Sequence, residues 1–217
     1  MTGMGNSTAM KMLILGGSGR TGRHLVDVAL RSGDSVTALE RNPAALGDIA
    51  DRITVVRGDA TSQPDVAEAM VGQDAVVSAL GRGNSVIAHE LFSRASAAVI
   101  GAARQQGVSR LVWLSSFGVG DTFRWATVSQ RIGYRTFLRG IYADKEIADE
   151  RIRSSGLDWT LVYPIALTNG PAKGSYRVDD PRRVTGNPRI TRADLAAFMH
   201  QAAHSPEWIH RAAVITN

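Results

Sequence analysis

The segment MLILGGSGRTGRHLV, Met12 to Val26, sets four glycines (Gly16, Gly17, Gly19 and Gly22) at the junction of an apolar run and an amphipathic one. The apolar run reads as a buried strand. HLVDVALRSG, with Leu25, Val28 and Ala29 on one face, reads as the helix that follows. A chain gives up backbone restraint at such a junction where side chains must be absent: for a tight turn, for close packing of helix on strand, or for an anion resting on the free N–H groups of the helix start. The glycines satisfy both G-x-G-x-x-G and G-x-x-G-x-x-G, and a position after a strand and at the head of a helix is where that spacing cradles the pyrophosphate of a dinucleotide.

The rest of the chain repeats this rhythm. SVTAL is a second strand, Asn42-Pro43 reads as an N-cap and first helical residue, ITVVRGD as a third strand, Pro64 as the next helix start and DAVVSALG as a fourth strand. A long helix is predicted from Val86 to Gln106, with Phe92, Val99 and Ala103 in phase and Gly107 ending it; RLVWLSS is the fifth strand. Near-continuous apolar strands of this kind are buried on both faces, which predicts an α/β fold with a doubly wound parallel sheet, a Rossmann fold, in a single domain. Between Phe117 and Ile141 the rhythm fails, and Phe123, Trp125, Tyr134 and Phe137 lie among arginines, as a lid or an irregular excursion. Helical signals return at DKEIADERIRSSG, where Asp149 and Arg153 sit one turn apart and Gly156 can end the helix; WTLVYP follows as a strand. After the turn-rich GPAKGSYRVDDPRRVTGNP, Thr191 caps a helix with Asp194 three residues on, and RAAVIT offers a last strand. The predicted organisation is a disordered tail over 1–10 and one dinucleotide-binding domain over 11–217, with substrate-side loops at 117–141 and 165–190.

Composition narrows the function classes. The chain has no cysteine, which removes disulfides and thiolate metal sites, and MTGMGNSTAM lacks the basic start and apolar centre of a secretory signal, so a cytoplasmic, membrane-free protein is expected. The net charge of +5 comes from scattered arginines without a basic run or aromatic platform, so no specific nucleic-acid partner is expected, only a small-molecule acceptor for a monomer or small homo-oligomer. His200 and His204 have the i, i+4 spacing of metal ligands, but no third ligand is evident beside them; they read as a surface helix pair, with no metal expected.

The dinucleotide's identity turns on ALERNP, the end of the second strand. Glu40 lies 18 residues beyond Gly22, where an acidic residue takes the ribose hydroxyls of NAD(H). Arg41 argues for a 2′-phosphate, which a guanidinium clamps through paired charge-assisted hydrogen bonds, and Arg20 in the glycine turn can join it. With Glu40 alternating away from the pocket and Arg41 facing it, NADP(H) is preferred and NAD(H) remains possible.

The Tyr-x-x-x-Lys pair of short-chain dehydrogenases is missing; YADK spaces Tyr142 and Lys145 by three, which still places them on neighbouring helical turns. On GGSGRTG, ERNP, VRGDAT, GQDAVVSALGRGN, SGLDWTLVYP and GSYRV…RITRADLAAFM, the chain from about Lys11 onward resembles the atypical short-chain reductases with an NAD(P)-binding, NmrA-like core, and within them the biliverdin IXβ reductase (flavin reductase) branch. The resemblance implies that the turn Gly16, Ser18, Gly19, Arg20, Thr21 and Gly22 holds the pyrophosphate, that Arg41 binds the 2′-phosphate, and that Asp59 and Ala60 flank the adenine. It implies further that Leu80, Gly81 and Arg82 lie along the cofactor, that Ser115 and Ser116 end a strand near the nicotinamide, that Lys145 reaches the nicotinamide ribose, and that the Pro164-Ile165 backbone borders the ring. Ala166 stands where the biliverdin reductases carry a histidine, which leaves hydride transfer intact and puts a tetrapyrrole substrate in question. Ser116 is the catalytic candidate, as a hydrogen-bond donor to substrate or carboxamide, with local backbone satisfaction the competing role. The expectation is an NADPH-dependent reductase passing hydride to a small flat acceptor such as a flavin or quinone. The alternatives are a catalytically silent NADP(H)-binding redox sensor of the NmrA-like type and, with less of the chain to support it, a nucleotide-sugar epimerase or dehydratase.

Overall fold

Strands apolar on both faces need cover on both faces, and the computed structural model, which describes residues 9–81, 90–126, 139–179 and 189–217, supplies it. In chain order the elements are β1 (Lys11–Leu15), α1 (Arg20–Arg31), β2 (Ser35–Glu40), β3 (Thr54–Arg57), α2 (Gln63–Met70), β4 (Ala75–Ser78), α3 (Leu91–Gln106), β5 (Arg110–Leu114), α4 (Arg139–Arg153), β6 (Asp158–Pro164), β7 (Ala166–Thr168), β8 (Arg177–Asp179), β9 (Arg189–Thr191), α5 (Arg192–His204) and β10 (Arg211–Thr216). The main sheet runs β3-β2-β1-β4-β5-β6-β10-β8, parallel except that β8 lies antiparallel on β10; β7 and β9 pair separately. The order reverses between β1 and β4, and the crevice above such a switch point is where doubly wound sheets bind ligands.

Alternate residues of each strand serve the two layers. Leu13, Leu15, Val76, Leu111, Trp113, Leu161 and Tyr163 face α2, α3 and α4 through Val66, Met70, Phe92, Val99, Ala148 and Ile152. Met12, Ile14, Val77, Val112, Leu114 and Val162 face α1 and α5 through Leu25, Val26, Phe198 and Met199. Two caps form as the sequence predicts: Thr191 Oγ1 accepts the Asp194 N–H at 3.0 Å, and Gly107 ends α3 with φ 72°. Arg110, at the start of β5, satisfies carbonyls at the end of α5, donating to Ala203 O at 3.3 Å and to Ala202 O, and binds Thr160 Oγ1 at 2.7 Å; burial pushes its guanidinium down to about 10.

Three expectations change. The helix after Asn42-Pro43 is a 3₁₀ segment, Pro43–Arg52, broken at Gly47 (φ 60°), and Asn42 makes no side-chain cap. The α3 helix starts at Leu91 after Glu90 at φ 55°, and of the predicted helix 86–89 lie outside the described residues. Its N-terminus is capped at long range: the Asp144 carboxylate on α4 accepts the N–H groups of Phe92 at 2.8 Å and Ser93 at 3.0 Å. Third, His200 and His204 are not an open surface pair; their side chains are 12% and 14% exposed and both point at Asp34. Of the predicted loops, Gly120–Trp125 forms a 3₁₀ turn, while 1–8, 127–138 (with Tyr134 and Phe137) and 180–188 lie outside the described residues. No described helix is long and apolar enough to cross a membrane.

Candidate active site at the carboxyl ends of the strands

The glycine turn leaves β1 at Gly16, which adopts φ 79°; a Cβ there would press on the backbone at the end of β4, 3.1 Å from Ala79 O. Gly19 occupies the N-cap of α1 without any side-chain cap, so the first N–H groups of the helix stay open to an anion. A Cβ on Gly22 would overlap Gly16 O, so this glycine lets α1 cross the turn. Gly19 and Arg20 are exposed, Thr21 and Gly22 buried. The surface is a backbone cradle of the kind a pyrophosphate needs, and the residues fit a dinucleotide.

Glu40 departs from expectation. It does not alternate away from the turn: Oε1 accepts the Ser18 N–H at 2.8 Å and Oε2 the Ser18 hydroxyl at 2.9 Å. The reason is that β2 is buried on both faces, so neither face of its last residue is solvent. Both carboxylate oxygens therefore brace the turn. Arg41, the next residue, is exposed at the same rim. Arg23 ties the turn down from the other side, donating to Ser18 O at 3.3 Å and Ala45 O at 2.5 Å. After β3, Asp59 folds an Asx turn, its Oδ1 accepting from Thr61 N at 2.8 Å and Thr61 Oγ1 at 2.9 Å, and Ala60 is buried beside it. Leu80 is half-buried and Gly81 exposed beyond β4; Arg82 lies outside the described residues.

Beyond β5, Ser115 and Ser116 part company. Ser115 is buried and donates to Asp149 Oδ2 at 2.7 Å; half-buried Ser116 accepts from Lys145 Nζ at 2.8 Å. Lys145 is only 7% exposed, and its ammonium lies 4.5 Å from the centre of the Phe92 ring. Burial pushes it down to about 8, with Asp149 and then Asp144 opposing. Burial likewise pushes Asp149 up to about 6, against the hydrogen bonds from Ser115 and Tyr163 and the charge of Lys145. The Tyr163 hydroxyl donates to Asp149 Oδ2 at 2.9 Å and accepts from Arg153 Nη2 at 3.0 Å; burial and the charge of Asp149 raise its phenol beyond the ordinary range. Tyr142 does not pair with Lys145: its hydroxyl donates to Phe117 O at 3.2 Å. The Pro164 carbonyl accepts the Phe117 N–H at 3.1 Å, which places the Pro164-Ile165 backbone against the loop that carries Ser116.

Asp149 is the member of this buried network that sequence reasoning missed; spacing alone shows it as a helix-surface partner of Arg153. Beside this network a cavity of about 310 Å³ is lined by Gly118, Val119, Gly120, Phe123, Arg139, Tyr142, Ala143 and Glu146. Phe123 reaches the pocket, whereas Phe117 is core and Trp125 packs against the core.

Comparison with known proteins bears on the family and the fold. The chain is 25% identical over 213 residues to the UPF0659 protein of Saccharomyces cerevisiae, covering 91% of this chain and 88% of the relative. It is 25% identical over 237 residues to the isoflavone reductase of Pisum sativum, covering 95% and 70%. ChuY, an anaerobilin reductase from Escherichia coli O157:H7, superposes with a TM-score of 0.79 at 24% identity over 95% of this chain and 96% of that one, which speaks for the fold. A family profile described as NAD(P)H-binding matches residues 16–206, from the glycine turn through α5, and the chain belongs to that NAD(P)H-binding family.

Proposed function

We propose that the protein is an NADPH-dependent reductase of the atypical short-chain type, acting on a small flat acceptor such as a flavin or quinone. The observation that carries this reading is the Lys145–Ser116 hydrogen bond, whose near neighbours along the chain, Gly118 and Glu146, line a cavity. The bound dinucleotide supplies the hydride. This chain's residues supply the rest: Lys145, whose ammonium sits near 8, passes a proton through the Ser116 hydroxyl to the reduced acceptor and recovers it from solvent. Asp149 acts as a positioning residue, holding Lys145 charged and keeping Ser115 and Tyr163 in place. Phe123 and Tyr142 give the cavity flat apolar walls, and Arg139 at its rim suits an acceptor with an anionic group. The isoflavone reductase relative and the ChuY neighbour are reductases by name, which supports the same chemistry.

For the cofactor, Arg41 is assigned as the 2′-phosphate clamp, with Arg20 at the head of α1 as the second candidate cation. Glu40 spends both oxygens on Ser18, so it serves the turn before it serves a ribose.

The test is titration with NADPH and NADH by nicotinamide fluorescence, followed by flavin mononucleotide and a simple quinone in the same cuvette, for wild type and Ser116→Ala. Preferential NADPH binding with turnover that falls about 10²–10⁴-fold in the variant supports the proposal. Tight binding without oxidation of NADPH by any acceptor replaces it with the sensor reading.

A further inference from the structure

At the edge of the sheet opposite the glycine turn, three ligand-type side chains converge. Asp34 follows Gly33 (φ 86°) in the turn from α1 to β2, while His200 and His204 project from the last turns of α5. His200 Nε2 lies 2.6 Å and His204 Nε2 2.9 Å from the same oxygen, Asp34 Oδ2, and a ligand atom from each of the three residues fits within 4.8 Å of the others. The other oxygen, Oδ1, accepts the Met10 N–H at 2.8 Å, which holds the carboxylate plane in place as an outer partner does in a metal site. The Asp34 side chain is 1% exposed.

We propose that Asp34, His200 and His204 form a binding site for a divalent transition-metal ion, with Zn²⁺ the best match to two imidazoles and a carboxylate. Three protein ligands leave a fourth position, and the partial exposure of both histidines opens it to water. Metal–ligand bonds of about 2.0–2.1 Å set tetrahedral ligand atoms roughly 3.3 Å apart, so the two imidazole nitrogens, 2.6 and 2.9 Å from Asp34 Oδ2, draw back from it by roughly 0.4–0.7 Å around an ion. A hydrogen-bonded clasp from α5 to Asp34 needs one imidazole. Here two, one helical turn apart with ring centres 4.7 Å from each other, aim at one oxygen, and that convergence is what coordination requires. The site's consequence is structural: it joins the end of α5 to the α1–β2 turn and, through Met10, to the start of β1.

The experiment strips the full-length protein with a chelator and titrates it with Co²⁺ and then Zn²⁺, alongside His200→Gln, His204→Gln and the double variant. The expected result is one Co²⁺ per chain with visible d–d absorption, displacement by Zn²⁺, a higher melting temperature with Zn²⁺, and affinity lowered about 100-fold or more by either substitution, beyond the range for losing an outer partner. Absence of stoichiometric binding to wild type overturns the proposal, as does binding that the double variant retains. Should the variants fail to fold by circular dichroism, competition against a chromophoric chelator decides on wild type alone: micromolar or tighter Zn²⁺ affinity supports the site, and millimolar affinity overturns it. NADPH binding at the far edge serves as an independent control, so failure here leaves the reductase reading untouched.

Discussion

Replacing Lys145 with methionine tests the electrostatics on which the proposed chemistry depends. Methionine keeps an unbranched apolar side chain in this buried position and removes the ammonium that lies 4.5 Å from the centre of the Phe92 ring. Burial lowers the wild-type lysine from 10.5 to about 8, and at about 1.4 kcal/mol per unit that shift costs the folded wild type about 3 kcal/mol at neutral pH. Below pH 8 the lysine is charged in both states and the cost is present in full. Between 8 and 10.5 the folded chain has released a proton that the unfolded chain still holds, so wild-type stability climbs as pH rises. Methionine does not titrate. The stability of Lys145→Met relative to wild type should therefore fall by about 3 kcal/mol from pH 8 to 10.5. Asp149, near 6, titrates below this window, and Tyr163 is common to both proteins and cancels in the difference. Urea unfolding followed by tryptophan fluorescence at successive pH values measures it. In the same series wild-type turnover should decline as pH passes through about 8, while the variant stays slow throughout. A stability difference that is flat across the window means the lysine titrates at its ordinary value, and the proton-donor argument fails with it.

The cofactor turn yields sharper, smaller tests. Arg41→Ala should weaken NADPH about 10- to 150-fold, the equivalent of a charge-assisted contact of about 1.5–3 kcal/mol, and leave NADH nearly unchanged; equal losses in nicotinamide fluorescence titrations would remove the phosphate clamp. Glu40→Gln keeps an acceptor for Ser18 and deletes a negative charge from the rim, so the ratio of NADPH to NADH affinity should rise; a fall would mean Glu40 serves the clamp. Gly19→Val and Gly22→Ala should separate binding from folding. The first sets a Cβ 3.1 Å from Gly16 O at the open N-cap, so it should abolish cofactor binding with a modest drop in melting temperature, while the second overlaps Gly16 O outright and should show the much larger drop in a circular-dichroism melt.

The fold was legible because its signals are local. Strand and helix periods, the Thr191–Asp194 cap and the φ 72° of Gly107 all act within a few residues, and no distant contact overrides them. The segment after Pro43 is not legible in the same way, because Gly47 at φ 60° breaks a helix that the Asn-Pro start announces. At the site, residue identity was legible and orientation was not. Alternation assigns a side chain to core or solvent, but β2 is buried on both faces, so the period says nothing about which way Glu40 turns. Asp149 hides for a related reason: its i, i+4 relation to Arg153 looks like a surface pair, and only the packing of α4 over β5 and β6 buries it against Ser115 and Tyr163.

The same limit explains the histidines, and it links the two edges of the sheet. Asp34 is 166 residues from His200, a separation that no motif spacing spans. Helices α1 and α5 cover one face of a parallel sheet, so each begins at its carboxyl edge and ends at its amino edge. At the carboxyl edge their first residues, Arg20 and Arg192, lie close enough that Arg20, after burial, holds the Arg192 guanidinium below its usual value. At the amino edge the backbone N–H of Asp34 donates to Ala29 O near the end of α1, while its carboxylate receives both imidazoles of α5. One helix pair therefore presents clustered positive charge at the edge where the anionic cofactor is proposed to dock, and is joined at the other end by the group proposed to bind metal. A parallel sheet builds both from the same two helices, because their direction is set once by the crossover connections.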